Sequence, residues 1–222
     1  VVMDKFMGPI VIDDFLDSSL IVELVEFLDP MLKDSPRQAM RGALGYETSA
    51  IAASVGSGTP AVPGFEGTES EKTVRALEDV YKRVRVSMEE HFGVEMDLVN
   101  CNYQELGEGG SNPLHSDSTK LDGSPWRDDG IEEELEFSAL VYLNSVGVDF
   151  TGGEIEFPLQ NILIKPKAGQ LVYFRGDIDH IHEVKTVTGG LRKVLVFFFA
   201  RKGNISSVQF FAEDVAGGDV IN

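Results

Sequence analysis

Four histidines are present, His91, His115, His180 and His182, so any imidazole-based metal site must draw on a short list. His91 falls near the end of a helical pattern, where a cationic side chain is favoured by the helix dipole, and reads as structural. The other three lie among short apolar runs. His115 and Asp117 form a His-x-Asp pair in NPLHSDS. On an extended segment, side chains two apart point to the same side and can share one ion. Such a tripeptide arises often by chance and carries little weight unaided.

A second imidazole further along raises its value. The segment HIHEVKTVTGGLRKVLVFFFAR places His182 sixty-seven residues after His115 and Arg192 ten residues after His182. His180, two residues earlier, would face the same side of a strand and competes for the same role. Two imidazoles and one carboxylate on one face of an ion leave three coordination positions free, as in non-haem Fe(II) oxygenases. Those positions suit a bidentate 2-oxo acid and dioxygen. A guanidinium suits the far carboxylate of such an acid, because its planar fork grips both oxygens. Alternation puts Arg192, Val194, Val196 and Phe198 on one face of a strand and Lys193, Leu195, Phe197 and Phe199 on the other. Arg192 and Lys193 therefore cannot both point inward.

The elements that must position these residues fall into two halves. Ile10–Leu16 reads as a short strand, followed by a helix capped by Ser18 or Ser19 with Leu20, Leu24, Val25 and Leu28 at helical spacing. Residues 54–70 are rich in Gly, Pro, Ser and Thr and read as a long loop. Val74, Leu77, Val80, Tyr81, Val84 and Met88 then recur on one face between Glu71 and Phe92, predicting an amphipathic helix that Gly93 ends. Beyond it the helical period gives way to short β-branched and aromatic runs at 96–106, 135–143, 154–157, 161–164, 170–174, 192–200 and 208–212. Residues 118–134, with Trp126, read as a polar insertion able to cover a site. Arg175-Gly176-Asp177 reads as a turn, and Gly152-Gly153 as a backbone demand for tight turning.

The fold class expected is α+β, mainly β, with supporting N-terminal helices and a β-sandwich, of which the double-stranded β-helix (jelly roll) is one form. One domain, 1–222, is expected, with 1–93 mostly helical support and 94–212 the jelly-roll core. The 42% hydrophobic content suffices for one core. Nineteen basic against thirty-seven acidic residues give a formal charge of -18, which disfavours phosphate backbones and anionic membranes as partners. Cys101 is alone, so no intrachain disulfide forms and an oxidising compartment is not implied; cytoplasmic residence is the default expectation.

The order HSD, SALVYLN, TGGEIEF, KPKAGQLVYF and HEVKTVTGGLR resembles the catalytic domain of the 2-oxoglutarate oxygenases of the prolyl hydroxylase group. Within it, HEVKTVTGGLRKVLVFFF is most similar to the prolyl 3-hydroxylase (leprecan) catalytic domain. The resemblance covers Tyr103 to Arg201. It implies His115, Asp117 and His182, rather than His180, as iron ligands and Arg192 as the residue for the 2-oxoglutarate C5 carboxylate. It also implies Tyr142 and Tyr103 as tyrosines lining the cosubstrate pocket; Tyr103 stands twelve residues before His115, which requires an insertion around Gly109 and Gly110. Leu140 and the Val194/Val196 face would complete an apolar lining. The resemblance further implies Fe(II), 2-oxoglutarate and dioxygen, with ascorbate as auxiliary reductant, and hydroxylation of an unactivated C–H bond with peptidyl proline as the favoured substrate. The rival readings are the same chemistry on a free amino acid or small metabolite, and a jelly-roll binding module that keeps a metal without oxidation. Arg192 separates the last, since a mere metal binder has no need of a carboxylate clamp.

Overall fold

The helical stripe predicted for 71–92 is the clearest case of sequence dictating structure. In the computed structural model, which describes residues 8–34, 44–50, 71–124 and 135–204, this segment is one helix, α2 (Glu71–Phe92). It buries Val74, Leu77, Val80, Tyr81, Val84 and Met88, with Thr73. Gly93 follows at φ +68° and donates its N–H to Glu89 O at 2.8 Å, the left-handed termination that glycine allows without strain. The first helix, α1 (Ser18–Asp34), buries Ile21, Leu24 and Leu28. Its cap is Asp17 rather than Ser18 or Ser19. Asp17 Oδ1 accepts the Leu20 N–H at 2.9 Å and the Ser19 hydroxyl at 2.6 Å, and a carboxylate at a helix start also meets the dipole favourably.

Eleven strands are found among the described residues: β1 (Ile10–Ile12), β2 (Leu44–Ala50), β3 (Met96–His115), β4 (Phe137–Tyr142), β5 (Phe150–Gly152), β6 (Ile155–Phe157), β7 (Ile162–Ile164), β8 (Leu171–Arg175), β9 (His182–Val184), β10 (Val187–Gly190) and β11 (Arg192–Arg201). Strand order runs β1-β8-β4-β11-β3-β9-β6-β7, with β2 also on β3 and β10 paired with β5 apart. Every ladder is antiparallel. β3 is long enough to serve two layers. Met96–Leu106 pairs with β11, and Asn112 and His115 pair with β9. Leu140, Tyr142, Val172, Phe174, Val194, Val196 and Phe198 of one layer pack against Ile155, Phe157 and Ile164 of the other. This is the expected jelly roll.

The larger layer is buried on both faces, which is why its strands read as continuous apolar runs. Phe137, Ala139, Val141, Leu171, Tyr173, Leu195, Phe197 and Phe199 turn outward against α1 and α2, while their alternate neighbours turn inward. Two parts of the N-terminal half are strand as well as helical support: β1 extends the sheet on β8, with Ile10 opposite Tyr173, and β2 lies on β3. The expected loop at 54–70, the strand at 208–212 and Trp126 lie outside the described residues. Among the described residues no helix is long and apolar enough to cross a membrane.

Candidate active site

His115 closes β3, Asp117 follows in a turn, and His182 opens β9 directly opposite His115 in the ladder. One ligand atom from each lies within 4.8 Å of the others. His115 Nε2 is 3.4 Å from Asp117 Oδ1, and His182 Nε2 is 3.8 Å from the same oxygen. Both rings have their Nδ1 against a backbone carbonyl, Pro113 O at 2.7 Å and His180 O at 3.0 Å. Donation from Nδ1 fixes the tautomer and leaves each Nε2 lone pair aimed at the common centre, as metal-ligating imidazoles require.

Asp117 is not on a strand, so strand alternation does not orient it. Ser138 Oγ, from β4, donates to Asp117 Oδ2 at 2.5 Å. Ser116 Oγ and Ser118 Oγ both donate to Gly176 O, at 2.8 and 2.9 Å, pinning the turn to the strand end of β8. A Cβ on Gly176 would stand 2.3 Å from Leu135 O, so the close approach requires glycine. His180, the competing imidazole, sits in a single 3-10 turn with Nδ1 2.6 Å from Asp177 Oδ1 and outside the cluster.

The electrostatics suit metal ligation. Burial pushes His182 down to about 4, with His115 and His180 adding to that against the pull of Asp117, so it is a neutral imidazole at pH 7. Burial resists charge on Asp117, but His182, His115 and Ser138 outweigh it and hold the carboxyl at about 2. For His115 burial is likewise the largest influence and is overcome by Asp117, which raises the imidazole. The rings of Phe157 and Phe174 lie 5.3 and 4.7 Å from that of His182 and shut water from its far side.

Arg192, at the start of β11, is 3% exposed. Its Nε donates to Gly153 O at 3.1 Å, its Nη2 to Tyr142 OH at 3.3 Å, and its guanidinium carbon lies 5.1 Å from the Tyr142 ring centre. Three of its five N–H bonds are left for a ligand. The Gly152-Gly153 turn, with φ +71° and +69°, brings this carbonyl in; a Cβ on Gly152 would stand 2.1 Å from Thr186 O. One cavity is lined by His115, Asp117 and His182, by Arg192, and by apolar Leu140, Phe174, Val196 and Phe198. Val194 and Tyr142 lie buried behind that lining.

Tyr103 is not in this cavity. It faces α1 on the opposite side of the sheet, where its hydroxyl lies 2.5 Å from Asp29 Oδ1 and 3.1 Å from Glu105 Oε1. Lys193 completes the cluster, with Nζ 2.5 Å from Asp29 Oδ2 and 3.4 Å from Glu105 Oε1. The physical reason is a bulge. Asn112 pairs with Val184 and His115 with His182, so three steps along β3 match two along β9. One extra residue reverses which side faces inward. Before the bulge Gln104, Leu106 and Asn112 line the cavity; after it His115 does. Sequence reasoning missed Gln104, Asn112 and Ser138. Asn112 Nδ2, 3.3 Å from His115 Nε2, had only its nearness to the His-x-Asp pair as a signal.

A β-sandwich holding two imidazoles, a carboxylate and a buried arginine in one cavity has the donor set that non-haem iron oxygenases use. Residues 101–201 match the family described as the 2OG-Fe(II) oxygenase superfamily. Over them the chain is similar to the 2OG-Fe(II) oxygenases, and its relatives and structural neighbours include prolyl hydroxylases. Prolyl 3-hydroxylase 2 of Gallus gallus is 30% identical over 155 residues, covering 61% of this chain and 22% of the relative. The chain spans about a fifth of the length of the curated relatives it matches. Two solved structures share the fold. A prolyl hydroxylase from Trichoplax adhaerens, in complex with a hypoxia inducible factor oxygen degradation domain peptide fragment, has a TM-score of 0.61 at 19% identity, covering 90% of this chain and 87% of that one. The viral collagen prolyl hydroxylase of Paramecium Bursaria Chlorella virus-1, as its 2OG complex, has 0.59 at 16%, covering 88% and 97%.

Proposed function

We propose that this chain is the catalytic unit of an Fe(II)- and 2-oxoglutarate-dependent hydroxylase acting on peptidyl proline. The carrying observation is the convergence of His115, Asp117 and His182 in a cavity that also contains the buried Arg192. The donor set fits: two neutral-capable imidazole nitrogens and one carboxylate oxygen suit Fe(II) and leave open positions. In this reading His115, Asp117 and His182 hold the metal, and Arg192 with Tyr142 holds the far carboxylate of 2-oxoglutarate. Bound there, Fe(II) with 2-oxoglutarate and dioxygen supplies the oxidative decarboxylation that drives C–H hydroxylation.

The protein's own part is to position and to exclude. The backbone carbonyls of Pro113 and His180 keep the imidazoles in the ligating tautomer. Ser138 turns Asp117 inward, and the carbonyl of Gly153 fixes Arg192 before any ligand arrives. Leu140, Val196 and Phe198 give the cavity an apolar wall, and a less polar surrounding strengthens each charge contact within it. Peptidyl proline is favoured by the likeness to prolyl 3-hydroxylases and by the peptide complex of the Trichoplax enzyme.

The test is incubation with Fe(II), 2-oxoglutarate and ascorbate, scoring succinate and the mass of proline-rich peptides and of free proline. Succinate formed only with Fe(II), and a gain of one oxygen on peptide, are expected. A gain on free proline alone would move the substrate to the amino acid. Bound metal and 2-oxoglutarate with no succinate for any substrate would leave a non-catalytic binding module.

A further inference from the structure

Gln104 is a buried polar side chain that none of the contacts above employs. It is 6% exposed and lines the same cavity as Arg192, and among the described residues its amide has no hydrogen-bond partner. A buried amide is normally paired, so one left open toward a cavity marks a place where a ligand's polar atom belongs. The register fixes where that place is. Gln104 stands opposite Val194, and Arg192 opposite Leu106, so Gln104 and Arg192 are diagonal neighbours on the inward face. Diagonal pairs on one face lie within reach of each other when both side chains are long.

Resting on the reading of the cavity as a 2-oxoglutarate site, we infer that the Gln104 amide N–H donates to the far carboxylate of the cosubstrate beside Arg192, making Gln104 a specificity-determining residue. The chemistry divides naturally. Arg192 supplies charge and a planar fork, and its two protein contacts leave it three donors. A carboxylate has about four lone-pair sites, so the fork does not saturate it. An amide donor arriving from β3, on the other side of β11 from β4 and its Tyr142, closes a cage that recognises a carboxylate and rejects a methyl group of the same size. An unpaired amide against that methyl group is the source of rejection. Tyr103, one residue earlier, is turned to the helices and cannot substitute.

Calorimetry on the Mn(II)-loaded protein tests this without turnover, comparing wild type, Gln104→Leu and Gln104→Glu with 2-oxoglutarate and with 2-oxopentanoate, which carries a methyl group in place of the far carboxylate. For 2-oxoglutarate, Gln104→Leu raises Kd about ten- to a hundredfold, the worth of one hydrogen bond to a charged group, and Gln104→Glu raises it further by repulsion. For 2-oxopentanoate, Gln104→Leu lowers Kd, since it removes no contact and relieves the amide left unpaired against the methyl group; a general packing defect would weaken both acids alike. Equal weakening, or no weakening for 2-oxoglutarate, overturns the assignment. Wild-type protein that retains Mn(II) but does not bind 2-oxoglutarate overturns the underlying cosubstrate reading instead. A Gln104→Asn variant, which keeps an amide on a shorter stem, recovers part of the affinity lost in Gln104→Leu if the donor itself matters.

Discussion

Removing the hydroxyl of Tyr103 separates the two faces of the sheet. Tyr103→Phe strips a hydroxyl that is fully buried with its ring and lies 2.5 Å from Asp29 Oδ1 and 3.1 Å from Glu105 Oε1. A hydrogen bond to a charged group contributes roughly 1.5–3 kcal/mol when buried. Asp29 keeps Lys193 Nζ at 2.5 Å and its side chain is 27% exposed, so water and lysine compensate in part. The loss of stability expected is about 1–2 kcal/mol, a lowering of Tm by roughly 2–8 °C for a chain of this size. Urea titration measures it as a lower midpoint at unchanged slope. Calorimetry with 2-oxoglutarate on the Mn(II)-loaded variant returns the wild-type Kd within about twofold, because nothing in the cavity has changed. Tyr142→Phe gives the opposite profile, weakening cosubstrate binding by removing the hydroxyl 3.3 Å from Arg192 Nη2. A tenfold loss of cosubstrate affinity in Tyr103→Phe with stability intact would refute the placement of Tyr103 outside the cavity.

Two further outcomes are expected. Metal analysis after dialysis finds less than about a tenth of the wild-type iron in His182→Ala, whereas His180→Ala keeps near-stoichiometric metal, since only the former removes one of three ligands; retention in both would break the ligand set. Burial opposes charge on Asp29, yet Lys193 and Tyr103 hold its carboxyl below the ordinary 3.8, so its contribution to stability is full above that value and is lost as pH falls through the lower folded one. The urea midpoint of wild type therefore drops below about pH 4 more steeply than that of Asp29→Asn, and parallel acid limbs would exclude a role for this pair.

Much of the site was legible because it depends on short-range parity. Arg192 and Lys193 are adjacent on a strand, so opposite orientation follows from the pleat alone, and the structure sends one to the cavity and the other to Asp29. The α2 stripe was legible for the same reason, each buried residue following from helical spacing. Tyr103 was not. Twelve residues separate it from His115, an even number, so an unbroken strand would put both on one side; the bulge between Asn112 and His115 reverses that. Bulges depend on the partner strand, which local sequence does not name. Asp117 lies beside His115 and His182, but not for the reason that spacing gives. Its direction comes from Ser138 on another strand and from the Gly176 carbonyl, long-range contacts that His-x-Asp spacing does not encode. The three-residue strands β5 and β9 were too short to show a period of two.

The adjacency of Arg192 and Lys193 has an evolutionary reading. Because one peptide unit separates a side chain that faces the cavity from one that ties the sheet to its helical backing, selection on what the cavity holds and selection on durability meet different atoms at neighbouring codons. A lineage of such chains is free to retune its cavity while the helix–sheet junction behind it goes on unchanged.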